Sequence, residues 1–188
     1  LHVILGLLSL KEYDSVESFI NKIVHSCQNE QEHLIRKIKN PYLAGFMLGK
    51  LSAAREKGID FEISIEQVIP NTIDPDITHD LITTIGNLIQ NATDAAAAAE
   101  KKNISLSISY EDELLIVVVE DSGIGIKEEN KEDLFEKGFS TKGEKRGYGL
   151  YLAKESAGKY GGSLAFTSEE NKGTTFILEI PYAGREQT

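Results

Sequence analysis

The pattern of apolar and polar positions along this chain changes character once, near Gly58. Upstream, apolar residues recur at helical spacing. Ile20, Ile23, Val24, Cys27, Leu34, Ile35 and Ile38 trace one stripe, and Leu43, Phe46, Met47, Leu51 and Ala54 trace another. Tyr13-Asp14-Ser15 reads as a turn in which Asp14, with Glu17 three positions on, forms an N-cap pair. Pro41 after Asn40 suits the first position of a helix, and Gly58 supplies a C-terminal stop. Residues 1–57 therefore read as a helical hairpin. Helices this apolar on one face need a partner, so a homodimer through the hairpin is expected.

Downstream the period becomes that of strands. Phe61, Ile63 and Ile65 alternate with polar residues, as do Ile104, Leu106 and Ile108. Leu114 to Val119 is a continuous apolar run of strand length, which suggests a central strand covered on both faces, and Ser163–Thr167 and Thr174–Ile180 add two further strands. Between them lie a helix predicted from about Pro75 to Glu100 and another from about Gly149 to Tyr160. The alanine tract Ala95–Ala99 reads as the end of the first of these. The expected fold is α+β: a helical hairpin over residues 1–57, then an α/β sandwich over 58–188 whose mixed sheet carries helices on one face.

Composition narrows the classes. A hydrophobic fraction of 40% with 27% charged residues is a globular balance. The single cysteine, Cys27, rules out an internal disulfide and fits a reducing compartment. A formal net charge of -10 argues against a nucleic-acid partner. No apolar run approaches the roughly 18–20 residues a membrane-spanning helix needs. The chain starts at Leu1, inside an apolar periodic stretch. It is thus expected to be a piece whose first helix continues upstream.

Three segments carry candidate chemistry. Asn87, Asn91 and Asp94 fall at i, i+4 and i+7, one narrow arc of the long helix, beside the apolar stripe of Ile77, Leu81, Ile85, Leu88 and Ala92. An amide carbonyl there is a hard oxygen ligand suited to Mg²⁺, although taken alone the arc also fits a solvated face. Asp121-Ser122-Gly123-Ile124-Gly125 follows the apolar strand directly. Its glycines permit positive φ and close backbone approach, and its carboxylate suits an exocyclic amine; a plain turn has the same composition. Glu136–Gly149 concentrates Lys137, Lys142, Lys145 and Arg146 among four glycines before a helix start, the makings of an anion lid or of a surface loop.

In this order the segments resemble the ATP-binding domain of sensor histidine kinases, within the wider group shared with gyrase, Hsp90 and MutL. The resemblance covers about Phe61 to Tyr182. N-L-I-Q-N-A resembles the N box, D-S-G-I-G-I the first glycine box, L-F-E-K-G-F-S-T-K the F box and R-G-Y-G-L the second glycine box. L-H-V-I-L-G-L-L and K-I-K-N-P-Y-L-A-G-F resemble the citrate- and C4-dicarboxylate-sensing kinases in particular. The resemblance implies ATP and Mg²⁺ as ligands. Asn91 would hold the Mg²⁺, with Asn87 beside it on the phosphates. Asp121 would receive the adenine amino group in a pocket shaped by Gly123 and Gly125, with Thr174 nearby. Lys142, Arg146 and the Gly147-Tyr148-Gly149 backbone would close over the phosphates, and Lys137 and Thr141 of the F box belong to the same set. Many kinases of the family carry Lys and then an aromatic residue after the N box, where this chain has Asp94 and Ala95. Phosphate neutralisation then rests on the lid cations, and adenine stacking on Ile126 and Leu150.

A phosphoacceptor histidine should be followed by an acid, with Asn or Thr three residues further. Neither His2, His25 nor His33 meets this. His79-Asp80-Leu81-Ile82-Thr83 does, but lies on the N-box helix itself, roughly 18 Å from Asn91 at ~1.5 Å rise per residue. It reads as a chance match. The acceptor, with its adjacent acid, is expected before Leu1, and no residue of the chain is a convincing catalytic base. The resemblance implies the cytoplasmic portion of a cell-membrane sensor whose phosphoryl group passes to a response-regulator receiver domain. Two alternatives stay open. An ATP-gated switch would need the Glu that gyrase and Hsp90 place where Asn87 stands. A non-catalytic phosphotransfer scaffold would carry a degenerate nucleotide site.

Overall fold

The computed structural model describes residues 10–15, 34, 36–72, 74–140 and 147–183. Among the described residues, the elements in chain order are α1 (Pro41–Glu56), β1 (Asp60–Ile65), α2 (Pro75–Ala97), β2 (Asn103–Glu111), β3 (Leu114–Asp121), α3 (Glu128–Lys131), α4 (Gly149–Lys159), β4 (Ser163–Glu169) and β5 (Gly173–Pro181). All five expected strands and both long downstream helices are present. α2 stops at Ala97 rather than Glu100, because the last alanines offer no buried contact and Ala98 caps the helix through its own backbone. The stripe through Cys27 lies outside the described residues, apart from Leu34 and Ile38.

The strands form one sheet in the order β1-β2-β3-β5-β4, parallel between β1 and β2 and antiparallel elsewhere. The parallel pair needs a crossover, and α2 makes it. Its apolar stripe (Ile77, Leu81, Ile85, Leu88, Ala92, Ala96) lies on one face of the sheet, against Leu106, Ile108, Leu115, Val117 and Leu178. Phe135, Phe166 and Phe176 extend this layer, with ring centroids 5.6 and 5.9 Å apart. β3 alternates buried and half-buried positions, so its continuous apolar run belongs to a strand covered fully on one face only.

Around α1 the local signals hold. Pro41 is at the start of the helix, Asn40 caps it, and Gly58 follows its end at φ +64°. Its apolar stripe finds a partner inside the chain: Leu43, Met47 and Ala54 are buried, and α1 packs on β1 and α2. The segment before α1 is bound to the same body. Ile38 forms a parallel bridge with Ile69, through Lys39 N–H to the Ile69 carbonyl (2.9 Å) and Ile69 N–H to the Lys37 carbonyl (2.8 Å). The Tyr182 hydroxyl closes the junction on the Pro70 carbonyl at 3.1 Å, and burial pushes its pKa up to about 12.

Candidate nucleotide site

A cavity of about 820 Å³ opens between α2, the loop after β3, α3 and the start of α4. Each wall follows from local sequence. On α2, Asn87, Asn91 and Asp94 line it along one arc, because the stripe beside them is committed to the sheet. Gln90 joins them, its amide donating to Asp94 at 2.7 Å. Asn87 is already engaged: its Nδ2 donates to the Gly149 carbonyl at the start of α4, at 3.2 Å.

The opposite end is built by the loop after β3. Asp121 is only 4% exposed yet lines the cavity, and its Oδ1 accepts the Gly123 N–H at 2.8 Å. This bond fixes the orientation of the carboxylate. Gly123 is not a lining residue. It lies against α2, where a Cβ would stand 2.5 Å from the Ala95 carbonyl carbon. Gly125 does line the cavity, at φ +65°.

The β4–β5 turn braces this loop from behind. Asn171 N–H donates to the Ile124 carbonyl (2.7 Å), and Ile126 N–H to the Ser168 hydroxyl (2.9 Å). Ser168 in turn donates to the Gly173 carbonyl and lies 3.0 Å from the Thr174 hydroxyl. Thr174 is 5% exposed, lines the cavity, and is the register partner of Asp121 on the neighbouring strand.

The residues expected to close over phosphates divide. Gly147, Tyr148, Gly149 and Leu150 line the cavity, as does Ile126. Gly147 is at φ +107°, and its carbonyl accepts the Gly138 N–H at 3.1 Å, so both flanks of the lid meet at one point. Lys137 is not among the lining residues; its ammonium stands 6.0 Å over the Tyr151 ring. Thr141, Lys142 and Arg146 lie outside the described residues. Sequence reading missed Ile124, Lys127, Glu129, Asn130, Leu134, Phe139, Ser140 and Phe176, which also line the cavity. Phe176 was signalled by its two-residue spacing from Thr174, and Phe139 and Ser140 by the F box. The α3 residues carried no signal, since a four-residue helix has no periodicity to read.

Among the described residues there is no group of three or more His, Cys, Asp or Glu that could hold a metal ion. The α2 wall offers the amide oxygens of Asn87, Gln90 and Asn91, which suit a cation that completes its shell with phosphate and water. His79 is exposed on the first turns of α2 and does not line the cavity. No helix among the described residues is long and apolar enough to cross a membrane.

The model for histidine kinase-, DNA gyrase B- and HSP90-like ATPases matches residues 77–184, from the first turn of α2 to just past β5. Sensor histidine kinase DcuS of Escherichia coli (strain K12) is 40% identical over 184 residues, covering 98% of this chain and 34% of its own length. Sensor protein CitS of Bacillus subtilis (strain 168) is 37% identical over 183 residues, covering 96% of this chain and 33% of its own. The chain thus spans about a third of the length of these curated relatives. The nucleotide-free catalytic domain of histidine kinase ThkA superposes with a TM-score of 0.60 at 26% identity, over 74% of this chain and 90% of that one. Full-length ShkA in complex with AMPPNP gives 0.62 over 76% of this chain and 30% of that one; at 22% identity this is a likeness of fold. With its ordered boxes, its sheet and its cavity, the chain belongs to the histidine kinase-, DNA gyrase B- and HSP90-like ATPase family, and about three quarters of it is similar to the catalytic domain of a histidine kinase.

Proposed function

We propose that this chain binds Mg·ATP in the α2–α4 cavity as the catalytic core of a two-component sensor kinase and delivers the γ-phosphoryl group to a histidine. The observation that carries this reading is the buried, oriented Asp121 carboxylate at one end of a cavity whose other end is a glycine-rich helix start. Asp121 accepts the adenine amino group, with Thr174 beside it and Ile126 and Leu150 on the base. The first N–H groups of α4, with Lys142 and Arg146, take the phosphates. Asn91 offers its amide oxygen to Mg²⁺, which neutralises phosphate charge when bound. The chain's own share in transfer is to hold the nucleotide in line and shield its charge, as phosphoryl transfer demands.

The acceptor is none of His2, His25, His33 and His79, so the receiving histidine is supplied from outside these 188 residues. Residues 1–57 provide the contact of a homodimer, and a receiver domain is the onward partner. Such a protein sits at the cell membrane through its sensor region, with this part in the cytoplasm.

The test is a calorimetric titration with ATP, with and without Mg²⁺, of this chain and of Asp121→Asn. Loss of a charge-assisted hydrogen bond should cost about 1.5–3 kcal/mol, roughly ten- to a hundredfold in affinity. Equal binding by the variant, or none by the parent chain, refutes the assignment. Asp94 supplies a second expectation. Its carboxylate faces the cavity where triphosphate charge would gather, so Asp94→Asn should tighten ATP binding about three- to tenfold and leave adenosine binding alone. A variant that binds ATP no better places the phosphates elsewhere.

A further inference from the structure

The H-D-x-x-T match on α2 has a structural use that the proposed function does not absorb. Asp80 Oδ2 accepts from Lys159 Nζ at 2.7 Å and from the Tyr160 hydroxyl at 2.8 Å, and Lys159 Nζ lies 3.0 Å from that hydroxyl. Three polar groups close a triangle between the beginning of α2 and the end of α4. The geometry is matched in charge: Lys159 sits in the last turn of α4, where a cation is favoured, and its neighbours hold its ammonium above the ordinary lysine range. The Asp80 carboxyl is correspondingly held below its usual range, first by the hydrogen bond from Lys159.

α4 needs such a restraint. It has 11 residues, buries only Ala153 and Ala157, and has no side-chain cap at its start. Small side chains let it lie close to α2 but give it no deep anchor. Among the described residues, the bond from Asn87 Nδ2 to the Gly149 carbonyl ties its start to α2. Its end is fixed to the same helix seven residues earlier, at Asp80. α4 is therefore pinned to α2 at both of its ends in antiparallel register, and it starts at Gly149, which with Gly147 just before it walls the cavity.

We propose that Asp80, Lys159 and Tyr160 form a clasp that sets the register of α4 on α2, and so positions the Gly147–Gly149 end over the nucleotide phosphates. These are positioning residues, outside the cavity lining. The proposal rests on the nucleotide reading above for its consequence, and on α4 alone for its geometry. Asp80 and Lys159 are partly exposed, with side-chain accessibilities of 27% and 57%, so the pair adds little to global stability. Its effect is local, on where a short helix lies.

The experiment compares Asp80→Asn, Lys159→Ala and Lys159→Arg with the unmutated chain in three readouts: ATP and adenosine affinity, melting temperature, and amide hydrogen exchange at residues 147–153. Asp80→Asn and Lys159→Ala should weaken ATP binding about three- to tenfold, leave adenosine within about twofold, and speed exchange at the start of α4. Lys159→Arg should restore both. ATP and adenosine affinity falling together with melting temperature would mean a structural pair only, and overturn the proposal. So would unchanged exchange at 147–153. If the unmutated chain binds no ATP, the nucleotide reading falls, and exchange alone then decides whether the clasp sets α4.

Discussion

Gly125→Ala is expected to destabilise the protein by about 3–5 kcal/mol and to abolish measurable ATP binding. Two costs combine. Residue 125 is at φ +65°, in the left-handed region, where an alanine costs roughly 1–2 kcal/mol. A Cβ there would also lie 2.1 Å from the Glu169 carbonyl oxygen and 2.8 Å from its carbon. That neighbour is backbone, at the end of β4, and cannot rotate aside. Relief requires the loop after β3 to part from the β4–β5 turn, breaking the Asn171–Ile124 and Ile126–Ser168 bonds that hold the cavity wall beside Asp121. Gly58→Ala is the internal control. It has nearly the same φ, +64°, but nothing within 4 Å of the added Cβ, so it should cost only about 1 kcal/mol and bind ATP normally. Chemical denaturation of both variants measures the difference. Equal costs would show that the turn yields freely and that overlap does not matter.

The second large effect is expected at Asn40, which is 3% exposed and uses all of its hydrogen-bonding capacity. Its Oδ1 accepts from Tyr42 and Leu43 N–H at 3.0 and 3.1 Å, capping α1. Its Nδ2 donates to Asn71 Oδ1 and to Thr78 Oγ1, both at 3.0 Å, tying α1 to the first turn of α2. Asn40→Ala removes the cap, worth about 1 kcal/mol, and leaves the buried Thr78 hydroxyl and the half-buried Asn71 carbonyl without their donor, at roughly 1–3 kcal/mol. The sum is about 3 kcal/mol, or a melting temperature lower by roughly 6–12 °C for a chain of this size. Asn40→Ser keeps a capping oxygen while losing the cross-link, and should recover about 1 kcal/mol of that loss. If Asn40→Ala costs no more than a cap alone, the link to Asn71 and Thr78 carries no weight.

Both predictions fall on residues whose importance sequence could only half announce. Asn40 before Pro41 was legible as a helix start, since capping is a local matter of one side chain and the next three N–H groups. That its other end holds a residue 38 positions away was not legible. Gly125 was marked by its place in D-x-G-x-G. The carbonyl that forbids a side chain there belongs to a turn more than forty residues on.

The α1 stripe shows the same division in reverse. Periodicity told correctly that Leu43, Met47 and Ala54 share a face, and it suggested that this face would need a partner. It could not tell which. The partner is the chain's own β1 and α2, because a helix period fixes direction around an axis and carries no information on the surface it will meet.

By itself, then, the sequence determined the five strands, the two helices that bear the site, and the arc of Asn87, Asn91 and Asp94, since each follows from short-range spacing and turn chemistry. The tertiary structure decided the rest: the β1-β2-β3-β5-β4 order, the brace behind the Asp121 loop, the placing of Lys137 outside the cavity, and the use of Asp80 as a clasp rather than beside an acceptor. These depend on contacts between residues tens of positions apart, which sheet pairing and helix packing create only when the chain closes on its core.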